Sequence, residues 1–162
     1  MNSLMNILFL STGNAARSLI AEALVNGKNS GRYKAYSAGT SPLPSPDPET
    51  LDLLASHGHE TASLHTKNWH FFAEAPAVQR PDIVVSLSEE AQAVALEKPW
   101  PALWVHWAVD APLSADRKDV RDWKFRKCYS VLDARIGALM RFSPSPSADE
   151  LLLQFREIGM VV

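Results

Sequence analysis

Cysteine is almost missing from this chain: its 162 residues contain one, Cys128. A single thiol excludes an internal disulfide framework and fits a cytoplasmic location. An excess of positive charge is missing too. Lys and Arg number 16 against 18 Asp and Glu, a net charge of −2, so nothing points to a nucleic acid or an anionic membrane surface as partner. Long apolar runs are absent. The one near the amino terminus ends at Leu10 and has no charged residue before it, so neither a signal peptide nor a membrane span is expected. No segment repeats. What is present, 46% hydrophobic and 21% charged residues, suits a globular protein, and the length predicts one domain over 1–162 with a sizeable core.

The most informative stretch is Asn6–Ser18, NILFLSTGNAARS. Ile7–Leu10 is apolar without interruption, the pattern of a strand buried on both faces. A polar loop of small residues follows, Ser11-Thr12-Gly13-Asn14-Ala15-Ala16-Arg17. From Ser18 the apolar positions Leu19, Ile20, Leu24 and Val25 take helical spacing. A strand, a small-residue loop and a helix start together predict an anion site. Backbone N–H groups converge there, and the helix dipole favours negative charge. Arg17 adds a planar fork that matches two oxygens of one tetrahedral oxyanion.

Beyond this stretch the elements alternate. A helix over about Ser18–Asn26 leads to a strand over Arg32–Ala38. Thr40–Pro48 then carries Pro42, Pro44, Pro46 and Pro48 and reads as a stiff loop. Asp47-Pro48-Glu49 starts a helix to about His57, and Trp69–Ala73 a short helical piece. Asp82–Leu87 is a continuous apolar strand, Ser88-Glu89-Glu90 caps the next helix, and Leu103–Trp107 forms the fourth strand. Val120–Met140 is the long closing helix, with Trp123, Tyr129, Val131, Leu132, Ile136, Leu139 and Met140 on its apolar side. Ser143–Ser147, SPSPS, reads as a linker to an amphipathic helix, Ala148–Ile158, that packs back on the body. Strands alternating with helices predict an α/β fold: a parallel sheet with helices on both faces and right-handed crossovers. Ligands in such folds sit beyond the carboxyl ends of the strands, which brings Ser11–Ser18 together with the residues after Leu87 and after Trp107.

FLSTGNAARSLIAEAL resembles the signature of the low-molecular-weight tyrosine phosphatase family, above all its thioredoxin-coupled arsenate reductase branch. The segments EALVNGKNSGRYKAYSAGTSP, SLHTKNWHFF, DIVVSLSEE, VHWAVDAP and REIG are similar to that branch in the same order, so the resemblance spans nearly the whole chain. It implies a three-layer fold with a four-stranded parallel sheet in flavodoxin-like order. It also implies an oxyanion-binding loop over Ser11, Thr12, Gly13, Asn14, Ala15, Ala16, Arg17 and Ser18, with phosphate, arsenate or sulfate as ligand, or a phosphorylated protein as partner. In the family a Cys begins this loop and is the nucleophile, and the Ser after the Arg stabilises its thiolate. Arg17 and Ser18 match; the nucleophile's position is Ser11.

The other departures also fall in the chemistry. The two relay cysteines of the reductases correspond to Ser88 and about Ala95, and Ala111 precedes Pro112 where the family has its general acid, an Asp. Asp110, one place earlier, is a candidate for a shifted acid, or else a turn-forming residue. Asn14, Glu22 and Ser37 match positions that hold a monovalent cation in some reductases. Lys67 and Asn68 stand where a further acidic ligand would be expected, so neither a metal nor a cofactor is expected. A helix terminus and an Arg can ionise a thiol but not a serine hydroxyl, which needs an adjacent base. Arsenate reduction needs a sulfur that bonds arsenic and then exchanges through a disulfide, which Cys128 alone cannot do. Cys128 reads as a packing thiol on the long helix. His106 is a candidate base, or a structural histidine bonded to backbone. His57, His59, His65 and His70 have no convincing zinc spacing, and Trp100, Trp104, Trp107 and Trp123 read as packing. Two functional readings follow. In one, the protein keeps the family's fold, binds an oxyanion or a phosphorylated partner and does not turn over. In the other, it is an active or deliberately inactivated enzyme acting on arsenate or phosphate esters.

Overall fold

Alternation along the first strand decides the layering. In β1 (Met5–Ser11) the side chains of Ile7 and Phe9 enter one apolar core and those of Leu8 and Leu10 another, and all four are wholly buried. A strand with no polar face must be covered on both sides. The computed structural model, which describes residues 4–76, 79–97, 99–112, 117–142 and 147–161, shows both covers. One core joins β1 to α1 (Arg17–Lys28), α2 (Pro48–Ser56), α5 (Lys118–Arg141) and α6 (Ala148–Ile158), through Ile20, Leu24, Leu54, Leu132, Ile136 and Phe155. The other joins it to α3 (His70–Ala73) and α4 (Glu89–Glu97), through Phe72 and Ala91, with Trp69, Trp100 and Trp104 packed alongside.

The sheet has four parallel strands in the order β2-β1-β3-β4, with β2 at Tyr33–Gly39, β3 at Ile83–Ser86 and β4 at Leu103–His106. The order reverses direction at β1. Ser11 pairs with Gly39 and Leu10 with Ser86, so the carboxyl ends of the three neighbouring strands lie level. The three-layer α/β fold in flavodoxin-like order is as expected from the sequence. Element ends shift by at most two residues. The first helix starts at Arg17, not Ser18, and β3 and β4 are each shorter than their apolar runs. Ser88 caps α4 through a bond from the Ala91 N–H, and Asp47 caps α2 through the Glu49 N–H.

α6 packs back as expected, and one tryptophan explains how. Trp107 is wholly buried, lies 5.9 Å from the Phe9 ring and 6.0 Å from the Phe155 ring, and donates its indole N–H to the Phe155 carbonyl at 2.8 Å. A Cβ on Gly159, just past α6, would lie 2.6 Å from Trp107 Cδ1, so only glycine lets the helix end approach this ring. Trp123 corrects the sequence reading: its spacing puts it on the apolar side of the closing helix, but it is 53% exposed, under the Lys127 ammonium. The linker expected at Ser143–Ser147 lies, apart from Ser147, outside the described residues. Among the described residues no helix is long and apolar enough to cross a membrane.

Candidate functional site

The loop between β1 and α1 is shaped by its neighbour in space, the proline-rich segment after β2. Four of its carbonyls are taken up by that segment and the helix it leads into. Ser11 O accepts from Thr40 N at 3.0 Å, Thr12 O from Ser41 N at 2.9 Å, and Gly13 O from Leu43 N at 2.9 Å. Ala15 O accepts twice, from Asp47 N at 3.1 Å and from the Thr50 hydroxyl at 2.8 Å. Across a planar trans peptide, a carbonyl and the following N–H point in opposite directions. Turning these carbonyls outward therefore turns the N–H groups of Thr12, Gly13, Asn14 and Ala16 inward. The Asn14 N–H shows it, since it reaches Ser11 Oγ at 3.2 Å.

Asn14 is the keystone. It is fully buried and has φ +52°, the left-handed conformation that Asn tolerates better than most side chains. Its Nδ2 donates to Ser18 Oγ at 2.8 Å, and its Oδ1 accepts the backbone N–H of Lys67 at 2.9 Å. Ser18 Oγ lies 2.7 Å from Ser11 Oγ, so the hydroxyls of the two loop-end serines are bonded. At the strand end a Cβ on Gly39 would fall 2.7 Å from Thr12 O, which is why β2 finishes on glycine where the loop passes over it.

Arg17 opens α1 and is half-buried, and its Nη1 donates to Val109 O at 3.0 Å. The segment after β4 thus fixes the guanidinium's orientation. Burial lowers the Arg17 pKa, while Glu90 and Asp110 are among the groups whose charge opposes that shift. The recess itself is about 30 Å³, lined by Ser11, Gly13–Arg17, Ala111 and Pro112. A larger cleft of about 450 Å³ adjoins it at Ala111 and runs along α5 past Asp110, Trp123, Lys127 and Cys128.

Of the expected site residues, Ser11 and Gly13–Arg17 line the recess, Thr12 and Ser18 do not, and Asp110 is exposed and lines the adjoining cleft instead. His106 is elsewhere engaged: its Nδ1 is 2.7 Å from Ser86 Oγ, a side-chain partner where backbone was expected. Cys128 is buried, and burial pushes its thiol up to about 12 against the pull of Arg17 and Arg135. His57 and His59 meet Tyr129 of α5, the first stacked at 4.0 Å and the second bonded to the phenol at 2.8 Å. Among the described residues no group of three or more His, Cys, Asp or Glu side chains could hold a metal.

Sequence reasoning missed three parts of the site. It treated the Pro42–Pro48 stretch as a stiff connector, not as the brace of the loop. It missed Thr50, whose side chain is wholly buried on Ala15 O. And, although it brought the residues after Leu87 to the site and matched Ser88 to a relay position, it did not foresee that Ser88 and Glu90 would bond the loop itself. Thr12 Oγ1 bonds both of them, at 2.9 and 3.0 Å, so the exposed Glu90 carboxylate stands at the loop. The signal was there in an acidic pair beginning a helix at the carboxyl end of β3.

An inward-turned set of amides at a helix start, beyond the carboxyl end of the central strand, is the arrangement of parallel α/β proteins organised round a strand–loop–helix anion motif. Within that class, residues 6–149 match the low molecular weight phosphotyrosine protein phosphatase family, and the chain belongs to it. An arsenate reductase from Halalkalibacterium halodurans is 28% identical over 131 residues, 80% of this chain and 91% of that protein. The crystal structure of an arsenate reductase from Archaeoglobus fulgidus aligns with a TM-score of 0.64 at 27% identity, covering 83% of this chain and 98% of that one. The YwlE arginine phosphatase, as a cysteine-to-serine mutant with a phosphorylated active-site serine, aligns at 0.62 with 18% identity over 85% and 97% of the two chains, a likeness of fold. This chain spans only 60% of the length of the thioredoxin-dependent arsenate reductase of Corynebacterium glutamicum.

Proposed function

We propose that this protein binds a tetrahedral oxyanion, as free phosphate, arsenate or sulfate or as the phosphoryl group of a partner, and that it does not turn the ligand over. The observation that carries the reading is the outward fixing of the loop carbonyls, which leaves the loop amides and the start of α1 facing one recess. Binding of this kind uses backbone donors and Arg17 and asks nothing of a thiolate. A neutral hydroxyl at position 11 also spares the ligand a resident negative charge at contact distance. Glu90 works in the opposite sense, since its charge at the loop opposes a dianion.

The chemistry of turnover lacks its parts. Ser11 Oγ is bonded to Ser18 Oγ and the Asn14 N–H, neither of which is a base. A serine hydroxyl without a base is a poor nucleophile at neutral pH. Ala111 supplies no acid to the leaving group, and Ser88 and Ala95 cannot relay electrons as cysteines do. Cys128, with its thiol held protonated by burial, is no substitute. A second reading draws on the phosphoserine described for the YwlE mutant. In it Ser11 Oγ attacks phosphorus, the ester oxygen leaves with a proton, and the product stays as a covalent Ser11 phosphate.

Both are tested by one set of assays on the native chain, with an aryl phosphate and with arsenate plus a thioredoxin system. Neither family-like phosphatase nor reductase rates are expected. Robust turnover that Ser11→Ala abolishes would refute the proposal. Intact mass after incubation with aryl phosphate separates the two readings: an unchanged mass supports reversible binding, and the added mass of one phosphoryl group that Ser11→Ala removes supports the covalent one.

A further inference from the structure

Between α1, β2 and the segment leading to α3 lies a half-buried charged cluster that the binding reading does not use. Glu22 of α1 accepts from the Ser37 hydroxyl of β2 at 2.8 Å. The Lys67 ammonium comes in beside them, 4.0 Å from Glu22 Oε1 and 3.5 Å from Ser37 Oγ, and donates to the His65 carbonyl at 2.8 Å. The Glu22 and Lys67 side chains are each 13% exposed, and Ser37 is wholly buried. Burial draws the carboxyl of Glu22 above its ordinary range and the ammonium of Lys67 below its own, and the charge of each opposes the shift of the other.

What gives this cluster a role is the other end of the same residue. Lys67 O accepts the Gly39 N–H at 2.8 Å, and Lys67 N–H donates to Asn14 Oδ1 at 2.9 Å. Asn14 in turn holds Ser18 Oγ, which meets Ser11 Oγ. One residue therefore spans from the buried carboxylate to the keystone of the loop. We propose that Lys67 is a positioning residue: its ammonium is a built-in cation that neutralises the Glu22–Ser37 pocket, and its backbone thereby holds Asn14 and the oxyanion loop in shape. The claim rests on the reading of the loop as a binding site, and it names what keeps that site ordered without touching the ligand.

A built-in cation makes a specific forecast. Lys67→Ala leaves Glu22 Oε1, Ser37 Oγ and the His65 carbonyl around a vacated cationic position, an all-oxygen set that suits an alkali ion. The Lys67→Ala chain is expected to melt at a higher temperature in potassium chloride than in choline chloride of equal ionic strength, with the native chain indifferent to the choice. Adding Glu22→Gln is expected to abolish that difference. In choline chloride the Lys67→Ala chain is expected to bind inorganic phosphate about fivefold more weakly than the native chain, a loss on the scale of one hydrogen bond, and to recover in potassium chloride. A general loss of packing would not recover with one cation and not the other. If Lys67→Ala does not fold in either salt, the Glu22→Gln/Lys67→Met pair, which removes both charges, is expected to fold. Equal melting of Lys67→Ala in the two salts, or phosphate affinity equal to native in choline chloride, overturns the proposal, as does failure of the charge-free pair to fold. A native chain that binds no phosphate refutes the binding reading instead, and the melting comparison then still decides whether Lys67 is a built-in cation.

Discussion

Thr50 allows loop orientation to be separated from overall stability. Its hydroxyl donates to Ala15 O at 2.8 Å and its side chain is wholly buried, so both of its parts, hydroxyl and methyl, have a definite cost of removal. Thr50→Val keeps the shape and removes the donor. Ala15 O still accepts the Asp47 N–H, so no carbonyl is orphaned and the cost is that of one ordinary hydrogen bond, about 1 kcal/mol. Thr50→Ser keeps the donor and removes a buried methyl, which also costs about 1 kcal/mol. The two variants should therefore unfold at similar urea concentrations. Their binding should differ. Only Thr50→Val leaves the Ala15–Ala16 peptide held by one bond instead of two, so it alone should lose phosphate affinity, by about fivefold if the full 1 kcal/mol is spent on its orientation. Urea unfolding and calorimetric phosphate titration of both variants measure the two quantities. Equal affinities for Thr50→Val and Thr50→Ser would refute the argument that the outward pinning of Ala15 O aims the loop amides.

Three further outcomes follow from the same geometry. Ser11→Cys should give a thiol of lowered pKa beside Arg17 and the start of α1, but only modest phosphatase activity. Adding Ala111→Asp should raise it by a factor approaching the ~10²–10⁴ of a positioned acid, whereas full family rates from Ser11→Cys alone would make Asp110 the acid. Cys128 should resist a thiol reagent in the native protein at neutral pH and react on unfolding; rapid labelling of the folded chain would contradict its burial and its raised pKa. Burial lowers the pKa of His59 and of His106, so the stability gained by keeping them neutral is present above about 6.5, their unfolded value, and is lost as pH falls through the folded values. Glu22, with a raised pKa, acts in the opposite sense. Urea unfolding from pH 7.5 downward should show a decline that His59→Gln/His106→Gln flattens, and an unchanged slope in that double variant would be evidence against it.

The fold was legible because its signals are local. Ile7–Leu10 and Asp82–Leu87 read as strands covered on both faces, and helical spacing marked Leu132, Ile136 and Leu139 of α5 for burial. The recess was legible for the same reason: strand, small loop, Arg17 and helix start are contiguous, so sequence order is also spatial order. The brace, Thr50 and Lys67 were not, because each reaches the loop through a contact between distant residues. Thr50 lies 35 positions from Ala15 and Lys67 lies 53 from Asn14, and no periodicity encodes such a meeting. Trp123 shows the limit of periodicity itself. It has the spacing of a buried position, but it falls in the first turns of α5 beside the open cleft, where none of the described elements buries it. The departures at Ser11, Ser88, Ala95 and Ala111 were plain in the sequence; what the geometry added is that, among the described residues, Ser11 Oγ is bonded to the Ser18 hydroxyl and the Asn14 N–H and not to a base.

The central claim is that the loop holds a tetrahedral oxyanion through its amides and Arg17, and calorimetric titration of inorganic phosphate into the native chain and into Arg17→Ala tests it most directly. The native chain should bind, and Arg17→Ala should bind more weakly by the value of a charge-assisted hydrogen bond, about 1.5–3 kcal/mol or roughly tenfold to a hundredfold in affinity. No binding by the native chain, or equal binding by the two, would contradict it.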